Sequence, residues 1–302
     1  MQAISRRKFL VRTSELGAAV LASNWLSRSA RANPMGRPVG IQLYAVNAAM
    51  QQDPVGTLKK IREIGFGEVE TAGFGKLSAK EFRKLLDDTG LACPSAHLAF
   101  DVDNLGPTFD DAHALRIQYV ASGSLRSTLR PPITGPAPAM TLDEAKRTAE
   151  VANRIGEKAK QAGLQYAYHN HDMEFVDQGG TIGYDILLRE TDAQLVKFEI
   201  DCGWMVVGGR NPIDYFKKYP GRFPLIHVKD FLPSRDKDAD AGSASSHAGA
   251  ELGHGMIDYK PIFAVAEKAG LQHYFAEQEG PFVRMSQLQA AQQAYAYLHA
   301  IG

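Results

Sequence analysis

The feature that most restricts this chain is a rhythm. From Val39 onward, short runs rich in β-branched and aromatic residues alternate with segments of helical period, and eight such runs can be counted. The runs lie at residues 40–44, 67–70, 92–97, 117–122, 164–170, 196–201, 224–228 and 273–277. Helical patterns fall at 55–65, 78–88, 109–115, 141–163, 212–218, 259–269 and 286–299. Gly65 supplies a stop, Pro212 a first-turn residue, and Thr141 with Glu144 an N-cap beside an acid. A helix in the connection lets successive strands run parallel. Eight such units predict one closed α/β domain, a (β/α)8 or TIM barrel, for which about 250 residues is typical.

The first residues read differently. Ser5-Arg6-Arg7-Lys8-Phe9-Leu10 precedes a modestly apolar stretch over 16–26 and then Ala30-Arg31-Ala32, a small-x-small cleavage pattern. The order fits a twin-arginine export signal over 1–32, with the barrel over 33–302, engagement of the twin-arginine translocase and a periplasmic destination. Ser23, Asn24 and Ser27 interrupt the apolar stretch, which falls short of the ~20 residues a stable membrane span needs. Lys plus Arg and Asp plus Glu balance at 34 each, without a like-charge block, so nothing favours nucleic acid. A small neutral or weakly charged ligand fits better. Cys93 and Cys202 form no CxxC pair, and homo-oligomerisation is left open. Two loops stand out: a Pro/Gly-rich one over 130–138 and a Ser/Ala/Gly/Asp-rich one over 233–255, of a length that often serves as a lid.

In such barrels chemistry gathers where strands end at the C-terminal face. Here the strand ends carry Glu70, His97, His169-Asn170-His171, Asp201, His227 and Glu277. Asp201 emerges from an apolar strand, where an unpaired carboxylate is costly to bury, so it calls for a cation or strong donors. His227 and Glu277 repeat the arrangement on the next two strands. Carboxylates and imidazoles converging from consecutive strands suit a divalent cation such as Mn, Co, Mg or Zn. His169 is the preferred fourth ligand. His171, two residues on, shares its face and is a candidate for substrate or proton transfer. His97 and Glu70 are candidates for substrate contact, His97 equally for a structural role, and Tyr44, Phe74, Trp204 and Tyr215 for either a sugar-stacking wall or ordinary packing. Glu174 is either a functional loop carboxylate or a solvated one. The glycines around 203–209 and 253–255 lack the context of a phosphate loop, and Ser95 and Cys93 lack a nucleophile motif.

The segments Gly40-Ile41-Gln42-Leu43-Tyr44, Tyr168-His169-Asn170-His171-Asp172, Glu199-Ile200-Asp201-Cys202-Gly203-Trp204, His227-Val228-Lys229-Asp230, Glu251-Leu252-Gly253-His254-Gly255-Met256-Ile257-Asp258 and Glu277-Gln278-Glu279 resemble the xylose-isomerase-like TIM-barrel superfamily, nearest to proteins labelled sugar phosphate isomerase/epimerase. The resemblance implies a metal-dependent isomerase or epimerase acting on a sugar or keto-sugar by proton transfer beside a carbonyl. It adds Gln42 and Lys229 to Tyr44, Glu70, His97 and Trp204 as substrate contacts, with Glu277 and His171 as the proton-transferring pair. Ketose epimerases of the superfamily hold their metal with Glu, Asp, His and Glu. This chain matches at Asp201, His227 and Glu277 but has His169 where they have the first glutamate. That departure removes one paired base and keeps two alternatives open: a metal-dependent lyase or hydrolase of keto-glycosides, and a non-catalytic periplasmic sugar binder. The related apurinic endonucleases would need more ligands and a basic surface.

Overall fold

The computed structural model describes residues 33–123, 125, 129, 138–233, 247–280, 282 and 285–302. The export-signal reading over 1–32, most of the 130–138 loop and the middle of the 233–255 loop lie outside them. Eight parallel strands close a barrel. These are β1 (Gly40–Gln42), β2 (Glu68–Ala72), β3 (Ala92–His97), β4 (Tyr119–Ser122), β5 (Gln165–His169), β6 (Val196–Asp201) and β7 (Leu225–Val228). The last, His273–Ala276, follows a small antiparallel pair, β8 (Asp230–Phe231) with β9 (Gly249–Ala250), and so is β10. It lies between β7 and β1 and closes the ring.

The helices start where their caps say. Ser78 with Glu81, Thr141 with Glu144 and Ser286 with Gln289 form reciprocal capping boxes that satisfy otherwise orphaned first-turn amides. Helix Leu142–Gln161 faces the sheet with small residues, and a side chain at Gly156 would bring its Cβ within 2.5 Å of the Leu195 carbonyl oxygen. Among the described residues, three α-helices have no counterpart in the sequence pattern: Asn47–Gln52, Gly183–Glu190 and Cys202–Val207. Gly183–Glu190 completes the crossover between β5 and β6. It is short, has no side-chain cap, and buries Tyr184, Ile186, Leu187 and Leu188 nearly contiguously, so its period is hidden. The first strand ends at Gln42, and residues Leu43–Val46 turn away as a 3-10 segment.

Inside the barrel, Tyr119, Ala121, Ala167, Leu225 and Phe275 form an apolar layer, and Phe275 lies where a side chain on Gly40 would otherwise sit. Toward the strand N-termini the filling turns polar, with His273 Nδ1 2.8 Å from Glu68 Oε2. Toward the C-termini it becomes ionisable. Among the described residues no helix is long and apolar enough to cross a membrane.

Candidate metal centre

The pleat sends alternate residues to the same face, so the inward set on β6 is Glu199 with Asp201, and β5 leads through His169 to His171. Register then places partners side by side: His169 opposite Glu199, and Asp201 opposite His227. The result is two groups of metal-type ligands that share His227. In the outer group, ligand atoms of Asp201, His227 and Glu277 all lie within 4.8 Å of one another. In the inner group, those of His97, His169, Glu199 and His227 do the same. His169 therefore stands with the inner group rather than beside Asp201 and Glu277.

His227 is completely buried and meets carboxylates at both nitrogens, Nδ1 3.0 Å from Glu277 Oε2 and Nε2 2.7 Å from Glu70 Oε2. Gln42 Nε2 donates to the same Glu70 oxygen at 2.8 Å. His97 Nε2 is 2.6 Å from Glu199 Oε2. Lys229, 2% exposed, sends its ammonium to Asp201 Oδ2 at 3.1 Å, Glu277 Oε2 at 2.8 Å and Glu279 Oε1 at 2.5 Å. Asp201 Oδ1 accepts the Trp204 amide at 2.8 Å, and Asn170 fixes the Asp201 backbone on both sides.

These contacts set the protonation balance. Burial pushes the Asp201 carboxyl up to about 6 against the pull of Lys229. Burial and the Glu199 charge raise Glu70. Burial alone would raise Glu277, but Lys229 and His227 hold it well below the carboxylate range. His227 is lifted well above an ordinary imidazole, because Glu199 and Glu277 outweigh its burial. His169 is depressed, first by burial and then by His227. His171 is lowered to about 4 by burial and by Lys229.

Other expected residues are distributed unevenly. Trp204 lies at the mouth, its ring 5.0 Å from Lys229 Nζ and 6.4 Å from the His171 ring. Tyr44 stands at the rim, 49% exposed, with its backbone amide donating to Gln42 Oε1. Phe74 and His97 line a cavity of about 380 Å³ together with Asp101 and Asn104. Tyr215 does not belong to a sugar wall: it is buried, and its hydroxyl donates to Asp185 on a neighbouring helix. Glu174 is not solvated. It is 2% exposed and accepts from the Tyr168 hydroxyl at 2.8 Å and the His171 amide at 3.0 Å, which fixes the turn carrying His171. The sequence pattern pointed to Asp201 without separating out Glu199, although the Glu199-Ile200-Asp201 alternation puts both on one face. Cys93 and Cys202 are buried and free.

The donor set fits a divalent cation. Asp201 Oδ2 meets Lys229 without an aligned hydrogen bond, and the buried His169 Nδ1 has no hydrogen-bond partner. A parallel barrel with buried carboxylates and imidazoles gathered at its C-terminal face defines the architectural class. Within that class the chain belongs to the xylose isomerase-like TIM barrel family, whose profile matches residues 58–299. An inosose dehydratase from Lacticaseibacillus casei is 31% identical over 170 residues, 54% of this chain and 56% of that protein. One from Clostridium perfringens is 29% identical over 165 residues, 52% of this chain and 55% of its own. The match thus spans a little over half the length of these relatives. A sugar phosphate isomerase/epimerase from Parabacteroides distasonis superposes with a TM-score of 0.69 at 26% identity, covering 87% of this chain and 94% of that one.

Proposed function

We propose that this protein is a metal-dependent enzyme of the isomerase/epimerase type that moves a proton at a carbon beside the carbonyl of a sugar or keto-sugar. The observation that carries the reading is the buried convergence of Asp201, His227 and Glu277 at the barrel mouth, with Lys229 and His171 beside them. A divalent cation on Asp201, His227 and Glu277 supplies Lewis acidity toward a carbonyl and its neighbouring hydroxyl. Lys229 donates to a substrate oxygen. The Trp204 face supports the sugar ring, and Tyr44 at the rim with the deeper Gln42, Glu70 and His97 are the remaining substrate contacts. Glu277 and His171 accept the proton and return it. Return to a different carbon or face gives the isomer or epimer.

A lyase is the second reading, supported by the inosose dehydratase relatives and by Lys229, whose ammonium can protonate a departing β-hydroxyl. Both begin with the same proton abstraction. The deciding experiment incubates manganese-loaded protein with ketoses, inososes and 3-keto-glycosides in deuterated water. Deuterium beside the carbonyl with retained composition marks isomerisation; loss of water or of an aglycone marks elimination or hydrolysis. Binding with no exchange into any of them marks a sugar binder and sinks the enzyme reading. Full metal content in both Asp201→Ala and His227→Ala removes the assigned site. Residues 1–32 serve, in this reading, as the twin-arginine signal for a periplasmic enzyme. Replacing Arg6 and Arg7 by lysine then leaves the protein in the cytoplasm on fractionation.

A further inference from the structure

Beneath the mouth, the inner group is itself built like a cation cage. We propose that a second divalent ion, of the borderline class that favours imidazole, binds there on His97, His169 and Glu199, with His227 shared between the two positions. The two sites have only His227 in common, so the inner one does not depend on the reaction assigned to the outer.

Spacing is the first support. Ligand atoms ~2.1 Å from a tetrahedral ion stand about 3.4 Å apart. His169 Nδ1 lies 3.4 Å from Glu199 Oε2, and His227 Nε2 lies 3.4 Å from the other oxygen, Oε1, so both spacings serve one ion when Glu199 grips it through both oxygens. Two ligand nitrogens make shorter contacts, His97 Nε2 to Glu199 Oε2 at 2.6 Å and His227 Nε2 to Glu70 Oε2 at 2.7 Å, and these are hydrogen bonds whose protons an ion would replace. Unsatisfied atoms are the second support. His169 Nδ1, on a side chain 4% exposed, and Glu199 Oε1, on one fully buried, both lie in this group without a hydrogen-bond partner. A buried polar atom left so is costly unless something fills the gap.

Charge is the third. Glu70, Glu199, Asp201 and Glu277 are all buried, while Glu279 at the rim is half-exposed and pairs with Lys229. Among the described residues, Lys229 is the one ammonium or guanidinium in contact with these carboxylates. These four buried carboxylates carry more charge than Lys229 alone can offset. Two divalent cations offset four negative charges, whereas one offsets two. His227 has the geometry for sharing, since its Nδ1 faces the outer group and its Nε2 the inner, and as a bridge it would give up both ring protons and bind as an imidazolate.

The test is a cobalt(II) titration of the chelator-stripped full chain, with bound metal measured by equilibrium dialysis and elemental analysis, and imidazole ligation followed by visible absorption. Two equivalents per chain are expected, falling to one in Glu199→Gln and in His97→Gln and, from the other site, to one in Asp201→Asn. Glu199→Gln keeps the side chain's shape; should it fail to fold by circular dichroism, His97→Gln, at a half-buried position, decides alone. A single equivalent in the unmodified chain, or two that survive both inner-site variants, overturns the proposal. Two equivalents that survive Asp201→Asn instead remove the outer site and leave the inner one standing.

Discussion

Replacing Lys229 by methionine isolates the electrostatics of the barrel mouth, because methionine keeps most of the unbranched stem and deletes the ammonium. Lys229 is 2% exposed, and its Nζ lies within 3.1 Å of Asp201 and 2.8 Å of Glu277, themselves 0% and 7% exposed. Removing one partner of a buried ion pair typically costs about 3–5 kcal/mol, chiefly because the other charge stays buried without compensation. At roughly 2–4 °C per kcal/mol for a chain of this size, the metal-free Lys229→Met protein should melt about 6–20 °C below its parent. Manganese should recover much of that loss, since a divalent ion on Asp201 and Glu277 replaces the missing positive charge. The assay is a pair of thermal melts by circular dichroism, chelated and manganese-loaded. A chelated variant melting within ~2–4 °C of the parent, under about 1 kcal/mol, refutes the claim that Lys229 compensates these carboxylates.

Two further outcomes follow from single contacts. Gly156→Ala gains about 1 kcal/mol of helix propensity but sets a Cβ 2.5 Å from a backbone carbonyl that cannot swing aside. Overpacking of about 1–3 kcal/mol should win, so the variant melts lower in a thermal scan, and an unchanged or higher midpoint contradicts the close helix–sheet approach. Glu174→Ala removes an acceptor that both the Tyr168 hydroxyl and the His171 amide use, and should cost about 1–3 kcal/mol. It should also slow proton exchange into substrate while metal content holds, and equal turnover in the folded variant would show that Glu174 does not position His171.

Most of the architecture was legible because its signals are local. Seven of the helical patterns and all eight strands recur in the structure within a few residues, since hydrophobic period, caps and glycine stops act over a turn or a strand. Asp201, His227 and Glu277 were legible for a related reason: a carboxylate or imidazole ending an apolar strand is costly unless something pairs with it. Glu174 and Tyr215 were left between two readings, because their roles depend on partners brought close by neighbouring turns and helices. The helix Gly183–Glu190 escaped because it is only eight residues long and lacks a side-chain cap, so its few polar residues, Asp185, Arg189 and Glu190, span too short a stretch to declare a period.

The sequence by itself determined that the chain alternates strand and helix eight times and that metal-type ligands stand at the strand ends, because pleat and helical period are properties of the backbone. Only the closed barrel decided how those ligands divide. Closure sets the register of each side chain, and register separates a group at Asp201 and Glu277 from one at His97, His169 and Glu199, with His227 shared between them.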